Sequence, residues 1–449
     1  LKMHDREFPV IGPILVRHAD DAAFYWSQLD SASRSYHWRF DDQIRTENLL
    51  AAHLDGLAIA GLPGFQHCVS MFDRWKKSGN LFTCVFLASK LGLTDPLDTL
   101  VERVQNQPDG MVRSLVSALL HLPEDQAIGL ISKWSARPAK PVQKVAALRA
   151  VALRGAGSHS ALACKLSAYF EDANTHIRAA ACRAALTHED HAVALDLLGI
   201  AMLDDDLQVR AETSIACLNT DLKAQAVAVL AACLLEQTAE FDKSSGWFRQ
   251  QASRRLERWA RYLAHVLPIG APQLPDLLNL LPTRIALTMV LAHGDLAYLP
   301  FALDKIRDPS VSRYAGWVWQ TLIGMELARM GWTVSDDDSV SLAPSGPVTQ
   351  ARLDADNGLP EPNHAALAAY MATQPFSLLQ GVRVLLGQQR DLASALALLK
   401  DAPQCIRALA AHTLNLSQSW LIFNVRASTA EQIIAMDALD EIIARGTEK

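Results

Sequence analysis

The sequence predicts an all-α chain built as a solenoid of stacked helix pairs, and three observations carry that prediction. A pattern returns: Ile177-Arg178-x-x-Ala181-x-x-Ala184-x-Leu186 is echoed 32 residues later by Val209-Arg210-x-x-Thr213-x-x-Ala216-x-Leu218. That length suits two short helices and their two turns. Related segments at Met111-Val112-Arg113 and Val142-Gln143-Lys144 then space Arg113, Lys144, Arg178 and Arg210 at 31, 34 and 32 residues. A near-constant period is stronger evidence than any single match. Finally, the chain of 449 residues is half hydrophobic and one-fifth charged, too long for one ordinary core but with ample apolar surface to bury.

The elements follow in order. Residues 1–110 predict an irregular helical cap, dense in Phe24, Tyr25, Trp26, Tyr36, Trp38 and Phe40. Large rings suit the covering of a first repeat, and the same residue types also make interface hot spots. Residues 111–332 predict HEAT-like repeats, because one amphipathic helix cannot bury its apolar face alone whereas stacked pairs share a core. Ala180, Ala181, Ala184 and Ala185 let helices approach closely. Asp172, Asp204, Asp206 and Asp308 precede helical patterns and can cap free backbone N–H groups. Each repeat arginine is expected to pair with an acidic group of its own or the adjacent repeat.

Regularity fades after Leu218. A strongly apolar helix is predicted at 222–240 and another at 247–266, where Arg249, Arg254, Arg255, Arg258 and Arg261 stand among Trp247, Trp259 and Tyr262. Pro268, Pro272, Pro275, Pro282 and Pro300 punctuate shorter helices beyond. Residues 333–362, with Asp336-Asp337-Asp338, Pro344, Gly346, Pro347 and Asn357-Gly358, read as an acidic loop or linker. Thr333-Val334 and Ser339-Val340-Ser341-Leu342 could pair there as a small hairpin. A helical block at 363–449 resumes the repeat, with Cys405-Ile406-Arg407, Ala410 and Leu414 as a further copy.

Composition narrows the function. A net charge of −6 argues against a broadly electrostatic nucleic-acid binder. No apolar run reaches the ~18–20 residues of a membrane span, and His4, Asp5, Arg6 and Glu7 stand where a signal-peptide core would begin. The seven cysteines form no C-x-x-C pair and lie mostly in Ala- and Leu-rich stretches. They read as small buried hydrophobes in a reduced, cytoplasmic chain.

Catalytic motifs are sparse. His188-Glu189-Asp190-His191 places two histidines at i and i+3 beside carboxylates, a metal-like spacing that is also an ordinary polar turn. HEAT-repeat metal hydroxylases use several His-Glu pairs, whereas His188-Glu189 is the single one here. Ser158-His159-Ser160 lacks a nucleophile elbow. Phosphate-loop and dinucleotide fingerprints are missing too. The expectation is no enzyme, no cofactor and no metal. Arg254, Arg258 and Arg261, at i, i+4 and i+7, would form one basic stripe, either a solvated helix face with Glu257 supplying local pairing or a surface for an acidic protein, and less readily for nucleic acid.

Arg17-His18-Ala19-Asp20-Asp21-Ala22-Ala23-Phe24 and Ala52-His53-Leu54-Asp55-Gly56-Leu57 near the start, Ala315-Gly316 with Leu322-Ile323-Gly324 in the centre, and Gly381-Val382-Arg383 with Gly387-Gln388-Gln389-Arg390 towards the end carry a resemblance. Together they resemble an uncharacterised bacterial family of HEAT-repeat proteins found beside type VI secretion components and their PAAR-like spike-tip proteins. The resemblance implies an adaptor or chaperone for a secreted effector or spike-tip protein, or alternatively an immunity protein that covers a cognate toxin. Trp317-Val318-Trp319 departs from the family's central pattern, and those aromatics suit either core filling or a partner-binding surface. Trp317 and Trp319, the arginine stripe, and Asp336, Asp337 and Asp338 are therefore the expected partner-binding positions.

Overall fold

In a computed structural model, residues 10–106, 108–155, 157–334, 354–373, 381–417 and 423–447 are described. They form twenty-two α-helices and one two-stranded ribbon, so the chain is all-α. Among these residues no helix is long and apolar enough to cross a membrane. Two compact units emerge. The first comprises residues 1–217, 401–408 and 422–438, and the second residues 218–400, 409–421 and 439–449. The boundary thus falls at Cys217, and the C-terminal block is divided between the units.

The helices of the first stretch are α1 (Gly12–Ala32), α2 (Phe40–Ala60), α3 (Leu62–Trp75), α4 (Ser78–Lys90), α5 (Thr94–Asn106), α6 (Pro108–His121), α7 (Glu124–Ser135), α8 (Pro141–Arg154), α9 (Leu166–Phe170), α10 (Thr175–Ala185), α11 (His191–Ala201) and α12 (Leu207–Cys217). Every second helix packs on the next, α4 on α6, α6 on α8, α8 on α10 and α10 on α12, while α7, α9 and α11 each cover the helix that follows. Ala180, Ala181, Ala184 and Ala185 are all buried, which lets α10 lie close to α8 and α12.

The 32-residue echo extends to individual hydrogen bonds. Arg178 Nη1 donates to the carbonyls of Asp172 and Ala173 (3.0 and 3.3 Å), and Arg210 Nη1 to those of Asp204 and Asp205 (2.9 and 3.0 Å). The acidic residues divide their work more finely than a simple cap. Asn174 and Asp206 accept the first free amides of α10 and α12. Asp172 and Asp204, two residues earlier, each accept the amide of that capping residue and a basic side chain from the preceding repeat. Lys144 reaches Asp172 at 3.2 Å, and Arg178 grips Asp204 through two bonds of 2.7 and 2.8 Å. Asp308 closes a turn at Ser310. The Arg178–Asp204 pair is mostly shielded from water, and the two parallel bonds make it more favourable than the ~0–1 kcal/mol of an exposed pair.

The later helices are α13 (Lys223–Lys243), α14 (Gly246–Val266), α15 (Gln273–Leu280), α16 (Thr283–His293), α17 (Leu299–Lys305), α18 (Ser312–Ile323), α19 (His364–Thr373), α20 (Leu392–Asp401), α21 (Gln404–Ser417) and α22 (Thr429–Thr447). In the second unit α13 packs on α14, α14 on α16 and α16 on α18. Thr333 bridges to Pro362, and the Val334 amide donates to Glu361, so this segment pairs with the far end of the loop. The expected partner strand, Ser339 to Leu342, lies outside the described residues. Arg284 and Arg313 hold that end down through Asp356 and Asp354.

Residues 381–390, expected within a helical block, instead form a ribbon of β1 (Val384–Leu385) and β2 (Gln388–Gln389). Leu386 and Gly387 at its tip both have positive φ, 52° and 72°, as a two-residue hairpin of type I′ requires. The Leu386 and Gly387 amides donate to the carbonyls of Thr321 and Leu322 at the end of α18 (2.7 and 2.9 Å). Arg383 and Arg390 flank the ribbon and cap two more helices. Arg390 donates to Leu291 and Ala292 of α16 at 2.6 Å each and to Val384 at 3.0 Å, while Arg383 reaches carbonyls of Ala264, Leu267 and His293. Apart from Val384, these carbonyls lie at the ends of α14 and α16 and carry the negative ends of helix dipoles, which is what balances two half-buried guanidiniums.

The C-terminal portion of the first unit corrects another expectation. Arg407, read as one more repeat arginine, is wholly buried. It lies 4.3 Å over the Phe40 ring and donates to Gln43 (3.3 Å) and Gln432 (2.7 Å). Burial lowers its pKa to about 10. Around it the amides of Gln404 and Cys405 donate to Trp38 and Ser35, and Thr429 donates to Glu47.

Candidate functional site

The predicted partner positions do not form one surface. Trp317 and Trp319 lie on α18 and are core residues, which corrects their reading as a binding departure. Trp317 stacks on Tyr314 at 5.6 Å. Trp319 donates its Nε1 proton to Met371 Sδ (3.5 Å) between Trp332 and Tyr370. Two large rings on opposite sides of the helix fill space that smaller residues would leave void. Asp336, Asp337 and Asp338 lie outside the described residues.

The arginine stripe divides along α14. Arg261 is held by Glu257 at 2.7 Å, and Arg258 stands half-buried 5.2 Å over the Tyr262 ring. Arg254 is exposed. Seven residues before it, and so two turns away on the same face, Trp247 is 47% exposed, and Phe248 beside it is 70% exposed. Their rings meet edge to face at 5.0 Å. Arg249 is also exposed and lies 3.9 Å over Phe241 of α13. The candidate surface is therefore the first half of α14, two adjacent aromatic rings followed by a solvated arginine. Trp259, in the same sequence cluster, is instead buried; twelve residues from Trp247, it turns to another face of the helix.

No family model, curated protein or solved structure matches this chain. What its surfaces can do is read from their own chemistry. His188 and His191 do not converge. The Asp190 amide donates to His188 Nδ1 (3.0 Å), the Asp190 carboxylate caps α11 through the Val193 amide, and His191 begins that helix. The His188 ring packs on His159 at 4.9 Å. Among the described residues, no three His, Cys, Asp or Glu are grouped to hold a metal ion. Ser158 and His159 lie in a short 3-10 turn between α8 and α9, with Ser158 Oγ bonded back to the Gly155 carbonyl.

The second half of α14 has an unusual electrostatic setting. His265 stacks on His412 at 4.9 Å, and Tyr262 meets the His412 edge at 4.6 Å. Burial and the charges of Arg261, Arg258 and Arg390 lower the His412 pKa to about 3, and burial holds His265 well below its usual value. Both are neutral when folded. A group with depressed folded pKa contributes stability that is complete above the unfolded value near 6.5 and is lost as acid protonates the unfolded chain. Between pH 8 and pH 5 His412 alone should therefore reduce unfolding free energy by about 2 kcal/mol. Denaturant titrations across that range should show a smaller acid loss in His412→Phe, and an unchanged slope would remove His412 as its source.

Proposed function

We propose that this chain is a non-catalytic protein-binding scaffold, a HEAT-like superhelix of helix pairs that docks a protein partner through the first half of α14. The observation that carries it is the exposure of Trp247 and Phe248 on a helix that also presents Arg254. Trp and Arg are the residue types that dominate interface energetics, and adjacent exposed rings are costly to keep in water without a partner. The helix-on-helix succession and the hydrogen bonds repeated at 32 residues support the superhelical part of the reading. Arg254 favours a partner that is acidic where it meets this face. The sequence resemblance supplies the identity: a type VI secretion effector or spike-tip protein, for which the chain acts as adaptor or chaperone.

The test is reciprocal co-purification with effector and spike-tip proteins encoded nearby. Wild type should retain one of them, and a Trp247→Ala, Phe248→Ala, Arg254→Glu triple variant should lose it at least tenfold in affinity, about 1.4 kcal/mol or more. Full retention by a folded triple variant would remove α14 as the docking face. Failure to recover any secretion protein with wild type would count against the assigned partner.

A further inference from the structure

In the first unit, α1, α2, α6 and the returning segments around Gln404 and Arg426 enclose a cleft of about 40 Å³, room for roughly three water-sized groups at ~10–15 Å³ each. Trp26 supplies an apolar wall, fixed by stacking on Phe82 at 5.2 Å. Three polar residues that line the cleft have unused hydrogen-bonding capacity. Arg113 commits its Nε to Asp30, and its two terminal amino groups have no acceptor among the described residues. Glu47 uses one oxygen for the Thr429 amide (2.7 Å) and keeps the other. Gln404 is 1% exposed, gives its amide protons to Gln43 (2.7 Å), and leaves its buried Oε1 without a donor.

An unsatisfied buried amide oxygen is costly and points to a donor supplied by something else. The formal charges cancel: Asp30 and Glu47 against Arg113 and Arg426. A simple anion would face two carboxylates and a simple cation two guanidiniums. The unused groups call for both signs at once, a carboxylate for the Arg113 fork and an ammonium for Glu47 and Gln404. His121 and Arg426 are exposed at the cleft, so it opens to solvent and a longer ligand can leave past them.

We propose that this cleft binds the zwitterionic head of a free α-amino acid, its carboxylate on Arg113 and its ammonium between Glu47 and the Gln404 amide oxygen. The test is calorimetric titration of the full chain with each free L-amino acid, with acetate and ethylammonium as half-ligands. At least one amino acid should bind with one-to-one saturation, and neither half-ligand should displace it at equal concentration. Glu47→Gln keeps an oxygen for the Thr429 amide and should weaken binding at least about tenfold, as should Arg113→Lys. Should Arg113→Lys fail to fold, Glu47→Gln decides alone. Absence of binding by every amino acid at millimolar concentration, acetate binding as tightly as an amino acid, or undiminished binding by folded Glu47→Gln would each overturn the proposal.

Discussion

Replacing Arg390 with alanine should destabilise the second unit by roughly 3–5 kcal/mol. The side chain is half-buried, and desolvation together with the charge of Arg383 lowers its pKa to about 9. Its three acceptors are the carbonyls of Leu291, Ala292 and Val384. Truncation would leave all three without their donor, and each buried carbonyl left unpaired costs about 1–3 kcal/mol. Lysine would keep a charge but not the planar fork that reaches separate carbonyls, so Arg390→Lys should recover less than half of the loss. Hydrogen exchange read by mass spectrometry should show faster exchange concentrated in α16 and the 381–390 ribbon. A loss below about 1 kcal/mol would mean that water replaces the guanidinium without penalty.

The second large effect is expected at the ribbon tip. Gly387 has φ of 72°, and a Cβ there would stand 2.5 Å from the Ile323 carbonyl oxygen. Gly387→Ala therefore combines a backbone cost of ~1–3 kcal/mol with a steric one of ~1–3 kcal/mol. Gly331 separates the two contributions, since it has φ of 69° but, among the described residues, nothing within 4 Å of where its Cβ would stand. Gly331→Ala should cost only about 1 kcal/mol. Equal destabilisation of the two variants in chemical denaturation would show that the close approach of ribbon and helix is not what requires Gly387.

Both predictions concern residues that stood out in the sequence for another reason. Gly324, Gly381, Arg383, Gly387 and Arg390 entered as parts of a resemblance, and the fold gives four of them a common place where the ribbon meets the ends of α14, α16 and α18. Nothing in a local pattern announces that meeting, because Arg390 and Leu291 are ninety-nine residues apart. The repeat was legible for the opposite reason. Its hydrogen bonds, from Arg178 to Asp172 and from Arg210 to Asp204, close over six residues, so they leave a periodic mark in the chain.

The candidate surface was legible in part. Arg254, Arg258 and Arg261 have the spacing of one stripe, but Glu257 and Tyr262, on the same helix, engage two of the three. Helical spacing says which residues share a face and does not say which neighbours share it with them. Trp317 and Trp319 failed as surface residues because a tryptophan suits a core and an interface equally well. The cleft was not legible at all. Its Gln404 and Glu47 are brought together by pairing across more than three hundred and fifty residues.

That long return has a consequence for how the protein is made. Arg407 and Gln432 complete the surroundings of Phe40 and Gln43 in the first unit, so α2 waits for a segment translated hundreds of residues later. At ~5–20 residues per second that wait lasts tens of seconds. During it Phe40 lacks its buried arginine, and the polar groups of Gln43 and Glu47 lack theirs. The newborn chain therefore passes through a stage in which α2 lies open, a natural point for chaperone contact before α21 and α22 close over it.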